Sequence, residues 1–198
     1  MIATLTEVKN ILGMNLGDTT NDSRITVLGN IIEEEIHDIC KNHFIRDIDI
    51  DNEKYLGSNT ISFESSTNKI LDSSNNLDRF IVGNTIKVRG SLENDGIYYV
   101  KTVDAGGAFL TIDTDYGSIE DEAVGEYVGI YKLWYPKSLK FPYATMVNYK
   151  LSKDSLKIDK GIQNEKVDDY SVSFGISKVY YGYPISIINM LTPYRKYY

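Results

Sequence analysis

The stretch "NTIKVRGSLENDGIYYVKTVDAGGAFLTID", residues 84–113, decides the fold expected for this chain of 198 residues. β-Branched and aromatic residues alternate with polar residues in three runs, and this period of two is typical of half-buried strands. Between the runs, Asp95-Gly96 predicts a tight hairpin and the Ala-Gly-Gly at Ala105 to Gly107 predicts a second turn. The stretch therefore predicts short strands that pair in antiparallel fashion.

The same alternation continues on both sides of this stretch. Further strand-like runs are "IRDIDID", "NTISFES" and "EYVGIYKLW". Together they predict six or seven short strands between Ile45 and Trp134, which is typical of a small antiparallel barrel or sandwich. We therefore expect residues 47–134 to form a β-domain.

Helical periodicity replaces the alternation towards both ends of the chain. Thr4 and Glu7 have the spacing of a capping box, so a helix is predicted to begin there. A long amphipathic helix is predicted from about Ser23 to His43. After Trp134, a helix is predicted over residues 138–150, and a short last helix near Pro184.

These patterns predict an α+β fold class in which a β-module is inserted into a helical host. Residues 1–46 and 135–198 are expected to form a small α-helical bundle. Residues 47–134 are expected to form the inserted antiparallel β-barrel or sandwich. A stripe of apolar residues on each helix needs a partner surface, so the helices at the two ends are expected to pack together.

Charge is distributed unevenly along the sequence, and the formal net charge is −7. From Asp47 to Trp134 there are sixteen Asp and Glu against seven Lys and Arg, whereas the last 24 residues carry three cations and no acid. Neutralising phosphates needs clustered Lys and Arg, so a general nucleic-acid surface is not expected. No transmembrane helix and no secretory leader are predicted, and one cysteine cannot form an internal disulfide.

The candidate catalytic and metal-binding residues are few. His37, Cys40 and His43 recur at three-residue intervals on one predicted helix, but a zinc site normally has a fourth ligand. They also lack the independent approach that a nucleophile, a base and an orienting group need, and no nucleophile-elbow, P-loop or HExxH motif is present. We therefore expect no enzyme activity, no cofactor and no metal. A small hydrolase would have to use Cys40 or His37.

An acidic run resembles the first half of an EF-hand loop. It comprises Asp47, Asp49, Asp51 and Glu53, but Ser58 stands where a bidentate Glu is required. Alternation along a strand explains these acids more simply, because it would place them on the solvent side.

The C-terminal stretch "YYGYPISIINMLTPYRKYY", residues 180–198, is apolar, aromatic and cationic. Aromatic rings and cations can form a stacking platform for single-stranded nucleic acid. Tyr and Arg also anchor protein–protein interfaces, and three cations are few for binding phosphates. The composition therefore favours a protein interface.

Both ends of the sequence resemble a known family. "MIATLTEVKNILGM" and "DSRITVLGNIIEEEIHDICKNHF" resemble the N-terminal helical pair of head–tail connector (adaptor) proteins of tailed bacteriophages. "KGIQNEKVDDYSVSF" and "YPISIINMLTPYRKYY" resemble the C-terminal segments of that family.

This resemblance implies a structural virion protein that is assembled in the host cytoplasm and located in the neck at the portal vertex. The family implies a ring, commonly of twelve identical subunits, that lies beneath the portal and extends the DNA channel. The expected partners are the portal protein, a downstream neck or tail-completion protein and further copies of the chain. Double-stranded DNA would pass without specific binding.

In this family the C-terminal segment typically docks on the portal. The residues expected to do so here are Ile185, Ile188, Leu191, Tyr194, Arg195 and Tyr198. The alternative is a binding module at another virion position, such as a tail-terminator or decoration protein, with the β-domain as its interaction surface.

Overall fold

The structure, a computed structural model, describes residues 1–45, 55–152, 164–167, 170–173 and 179–196. The chain divides into two compact units. The sheet unit contains residues 43–135 together with Met1, and the terminal unit contains residues 2–42 and 136–198. Each unit is described separately below.

The sheet unit is built on one seven-stranded antiparallel sheet. Its neighbouring strands follow the order β1-β7-β4-β5-β6-β3-β2. The strands are β1 (Tyr55–Ser58), β2 (Ile61–Glu64), β3 (Lys69–Asp72), β4 (Thr85–Arg89), β5 (Gly96–Val103), β6 (Phe109–Ile112) and β7 (Val128–Lys132).

Apolar side chains from all seven strands share one core. The alternation seen in the sequence explains this burial, because Ile61 and Phe63 are buried while Ser62 and Glu64 between them are only half-buried. The buried residues of the core are Leu56, Ile61, Phe63, Ile70, Leu77, Phe80, Ile86, Val88, Tyr98, Val100, Leu110, Ile112, Ile119, Val128 and Ile130.

The two turns predicted from the central stretch had different outcomes. The turn at Gly107, between β5 and β6, is confirmed. It requires glycine, because φ is +77° there and a Cβ atom would lie 2.4 Å from the carbonyl oxygen of Asn75. The tight Asp95-Gly96 hairpin is wrong. Gly96 already pairs with Val88, and residues 90–95 form a longer loop between β4 and β5.

Side-chain hydrogen bonds hold this longer loop in place. The side-chain amide of Asn94, which is buried, donates to Glu122 Oε2 at 2.9 Å and accepts from the backbone NH of Glu120 at 2.8 Å. The Glu122 carboxylate also accepts from the backbone NH of Leu92 at 3.0 Å. These distant partners favour the longer loop over a two-residue turn.

The terminal unit contains helices and two short β-ladders. The predicted capping box is confirmed, because Thr4 and Glu7 exchange hydrogen bonds at the start of the first helix. The helices are α1 (Leu5–Ile11), α2 (Asp22–Cys40), α3 (Lys140–Leu151) and α4 (Ile185–Met190), and the strands are β8 (Asn164–Val167), β9 (Tyr170–Ser173), β10 (Val179–Tyr180) and β11 (Tyr183–Pro184). β8 pairs with β9, and β10 pairs with β11.

The predicted fold class is wrong. A small α-helical bundle with an inserted barrel or sandwich was expected, but a single seven-stranded antiparallel sheet is the largest assembly and the described helices are few. The sequence period identifies strands but not their partners, and β1 pairs with β7 across 70 or more residues. Towards the C-terminus, the short last helix was predicted and α4 has six residues, but two short ladders accompany the helices, so this unit is not a purely helical bundle.

Candidate interaction site at the end of the terminal unit

A two-residue hairpin presents two tyrosines on the surface of the terminal unit. β10 and β11 pair through Tyr180 and Tyr183, and the turn between them has left-handed backbone at Tyr181 (φ 54°) and Gly182 (φ 76°). Two successive positive φ angles match the twist of a tight hairpin. The rings of Tyr180 and Tyr181 meet edge-on at 4.6 Å, and each residue is 51% exposed.

Tyr183 anchors this hairpin in the unit. Its side chain is fully buried, and its hydroxyl donates a hydrogen bond to Glu35 on α2. Burial, the hydrogen bond to Glu35 and the carboxylate charge raise the pKa of Tyr183 far above its usual value, so it stays protonated. Lys150 of α3 lies 4.9 Å from the centre of the same ring and 3.9 Å from Glu35 Oε1. The hairpin is therefore fixed to both α2 and α3.

The last described residues lie against the C-terminal end of α2. The backbone NH of Lys196 donates to the carbonyl oxygen of Cys40 at 3.0 Å. The side-chain amide of Asn42 donates to the carbonyl oxygen of Tyr194 at 2.9 Å. The Cys40 thiol donates to the carbonyl oxygen of Leu191 at 3.9 Å. These contacts satisfy a carbonyl at a helix end, where intrahelical partners are missing.

A half-open groove with a volume of about 370 Å³ lies between the end of α2, the hairpin and the last described residues. Among the described residues, its lining contains three cationic side chains and two tyrosines but no Asp or Glu. The lining residues are Ile39, Cys40, Lys41, Tyr180, Tyr181, Arg195 and Lys196. Positive charge at the C-terminal end of α2 is favourable in itself, because the helix dipole is negative there.

The predicted docking residues occupy different environments. Ile188 and Leu191 are buried in the core of the terminal unit, so they present no free surface in this conformation. Ile185 is 43% exposed, and Tyr194 and Arg195 are half-buried. Tyr198 lies outside the described residues. The docking role of these six residues stays a prediction.

Lys41 is part of the groove but could not be assigned to it from the sequence. It follows α2 in the left-handed conformation (φ 49°) that ends the helix, and it is far in sequence from the tyrosines and Arg195. The richness of the C-terminal stretch in Tyr and cations did indicate an interface. No local pattern indicated that the end of α2 would line a groove together with that stretch.

The candidate metal ligands belong to different units, His37 and Cys40 to the terminal unit and His43 to the sheet unit. Cys40 and His37 are buried, whereas His43 is exposed. Within the described ranges, no group of three or more His, Cys, Asp or Glu could hold a metal ion. Burial raises the pKa of Cys40 to about 11, which leaves an unreactive thiol at neutral pH. The EF-hand-like run at residues 47–53 lies outside the described residues.

Charge divides unevenly between the two units. By sequence, the sheet unit has sixteen Asp and Glu against eight Lys and Arg, a net charge of −8. The terminal unit has twelve acids against thirteen cations, a net charge of +1. The acidity of the chain therefore belongs to the sheet unit.

Among the helices of the described residues, none is long and apolar enough to cross a bilayer.

Comparison with known proteins gives no assignment, since no protein-family model and no curated protein sequence matches this chain.

Proposed function

We propose that this protein is a non-enzymatic structural component of a tailed-phage particle, a head–tail connector that joins the portal to the neck or tail. The observation that carries the proposal is the surface formed on the terminal unit by the exposed Tyr180, Tyr181 and Ile185 and the half-buried Arg195. Exposed tyrosine and arginine beside aliphatic side chains are typical of protein-binding surfaces. Ile185 and Arg195 lie in the C-terminal segment, residues 183–198, that resembles the portal-docking segment of connector proteins, and Tyr180 and Tyr181 directly precede that segment.

The charge distribution supports the same proposal. A connector ring lines a passage for DNA, and the net charge of −8 on the sheet unit disfavours adhesion of phosphate groups. The terminal unit is close to neutral, so it can approach a protein partner without a large electrostatic penalty. In this proposal further copies of the chain complete a ring in the neck of the virion.

The experiment that tests this function mixes the purified chain with a portal ring and measures the complexes by native mass spectrometry. Binding of several copies per portal ring is the expected result. Deleting residues 185–198 is unsuitable as a test, because it would remove the buried Ile188 and Leu191 and unfold the unit.

Substitutions at exposed positions avoid this problem. Ile185→Asp and Tyr181→Asp are expected to abolish binding to the portal ring while the far-UV circular dichroism spectrum is unchanged. Val27→Asp on α2 is the matched control, because Val27 is also exposed but lies outside the groove and the C-terminal segment. Absence of any complex with the wild-type chain would refute the docking role.

A second candidate, a binding module at another virion position, has support from the sheet unit. Leu92, Val124 and Tyr127 are exposed there, and Leu92 is 72% exposed. Exposed apolar groups of this kind occur at protein contacts. A particle map that places the chain away from the portal vertex would favour this candidate over the connector.

A further inference from the structure

We infer that the groove at the end of α2 binds acidic side chains of an extended segment of a partner protein. The groove is half-open and has a volume of about 370 Å³, which accommodates a few side chains. The chemistry of the groove is independent of the proposed function, but the identification of the partner as a virion protein rests on it.

The cations of the groove have no acidic partner among the described residues. Lys41, Arg195 and Lys196 line it, and no carboxylate among the described residues forms an ion pair with any of them. The Arg195 side chain also has a buried Nε with no hydrogen-bond partner in the described part of the chain. The positive charges of the groove are therefore not neutralised by ion pairs with the described residues.

A carboxylate is the partner that these groups fit. A guanidinium group presents a planar fork of donors, which matches the two oxygens of a carboxylate, and a nearby ammonium group adds a second charge-assisted hydrogen bond. Arg195 and Lys196 are adjacent in sequence and lie on the groove together with Lys41. Two or three acidic side chains from one segment could therefore be neutralised at this site.

The tyrosines define the rest of the preferred ligand. Tyr180 and Tyr181 form an aromatic wall of the same groove, and their rings are held edge-on to each other. Aromatic side chains with a polar tip contribute contact area at low conformational entropy cost. A segment that alternates acidic and aliphatic residues would satisfy the cations and cover the rings at the same time.

The surroundings favour an acidic protein segment over a nucleic acid. Nucleic acids carry a phosphate at every step and are bound by longer tracks of cations. Here three cations line the groove. The exposed Asp38 lies in the last turn of α2, directly before the lining residue Ile39 in the sequence. A phosphate chain that extended along α2 would be repelled there, whereas a short peptide need not extend that far.

The test uses the full-length chain and fluorescein-labelled peptide probes. The first probe is an eight-residue peptide in which glutamates alternate with leucines, and the second has glutamine in place of every glutamate. Fluorescence anisotropy should show that the glutamate peptide binds at least tenfold more tightly than the glutamine peptide, and that its affinity falls as salt is added. Equal affinity for the two peptides would overturn the inference.

Substitutions locate the binding to the groove. Arg195→Gln and Lys196→Gln should each weaken binding of the glutamate peptide about tenfold, the effect of losing one charge-assisted contact. Lys137→Gln removes an equal charge from an exposed lysine outside the groove and should leave the affinity unchanged. If Lys137→Gln weakens binding as much as Lys196→Gln, general electrostatic attraction explains the binding and the groove is not the site.

Two further measurements separate the alternatives. A single-stranded DNA oligonucleotide that binds more tightly than the glutamate peptide would overturn the choice of a protein partner. The same variants are then tested with the portal ring. Loss of peptide binding with full retention of portal binding supports the groove but assigns its partner to another protein, whereas peptide binding with no portal binding by wild type removes only the proposed function.

Discussion

A Cβ atom built on Gly29, in the middle of α2, would lie 2.3 Å from the hydroxyl oxygen of Tyr143 on α3. The two helices therefore pack closely at a position where a methyl group does not fit. Tyr143 is almost completely buried, so its ring cannot move aside into solvent. This contact joins the first and last parts of the terminal unit, which are more than 100 residues apart in the chain.

Gly29→Ala should destabilise the protein by about 1–2 kcal/mol, although alanine is the better helix former by about 1 kcal/mol. Overpacking against Tyr143 outweighs the gain in helix propensity. Chemical denaturation measures the free energy of unfolding. In a Tyr143→Phe background the obstructing oxygen is absent and the next ring atom lies at 3.4 Å, so Gly29→Ala should cost much less there. An equal cost in both backgrounds would show that Tyr143 is not the obstacle.

Lys9 should be important for stability although it is charged. It is buried, and its ammonium group donates to the carbonyl oxygens of Leu16 (3.3 Å) and Asp18 (2.6 Å) and to Asp22 Oδ1 (2.8 Å). One cation thus fixes the loop between α1 and α2. Lys9→Met should lower the free energy of unfolding by about 2–3 kcal/mol, because it leaves these oxygens without their donor.

Lys137→Met is the matched control for Lys9, because Lys137 is an exposed lysine of the same unit. Its free energy of unfolding should stay within about 0.5 kcal/mol of wild type. A Lys9→Met protein as stable as this control would mean that the three hydrogen bonds contribute no net stability.

The sequence predicted the features that depend on neighbouring residues. The capping box of Thr4 and Glu7 and the Gly107 turn were predicted correctly, because each depends on a few consecutive residues. The failures involve distant partners. Gly96 was assigned to a turn, but contacts of Asn94 with Glu120 and Glu122 select a longer loop. The pairing of β1 with β7 and the single sheet that results are set by tertiary packing.

The candidate site shows the same limit. Its tyrosines and Arg195 were noted as an interface from composition, but two apolar residues of the same segment, Ile188 and Leu191, proved to be core. Composition alone does not separate an apolar residue that binds a partner from one that packs inside. The hydrogen bond from Lys196 to Cys40 brings the C-terminal segment to α2 and so completes the groove.

Cys40 should react very slowly with thiol reagents in the native protein. Its side chain is completely buried, and burial raises its pKa to about 11 despite the nearby charge of Arg195. At pH 8 the thiol is therefore almost entirely protonated and inaccessible, and thiolate is the reactive form. Modification by a disulfide reagent should follow the fraction of unfolded protein as denaturant is added. Complete modification within seconds in buffer alone would contradict the buried position and would revive a nucleophilic role for this residue.

Asp72 in the sheet unit should make stability depend on acid pH. Burial raises the pKa of its carboxyl, but hydrogen bonds from the Thr60 hydroxyl and from the backbone NH groups of Ser74 and Asn76 outweigh burial and lower the pKa overall. A carboxylate with a lowered pKa in the folded state contributes stability above its unfolded pKa of about 3.9. That contribution is lost as the pH falls through the folded value, because protonation must then break the native hydrogen bonds.

Asp72→Asn tests this dependence. The variant should be less stable than wild type at pH 7 by about 1–3 kcal/mol, because backbone donors lose a charged acceptor. Its free energy of unfolding should also decline less than that of wild type between pH 5 and pH 2. Asp115→Asn, at an exposed aspartate of the same unit, should keep both the stability at pH 7 and the acid decline of wild type. Urea denaturation at each pH gives the free energy of unfolding as a function of pH. If the profiles of wild type and Asp72→Asn are parallel, the Asp72 carboxylate is not the group that titrates.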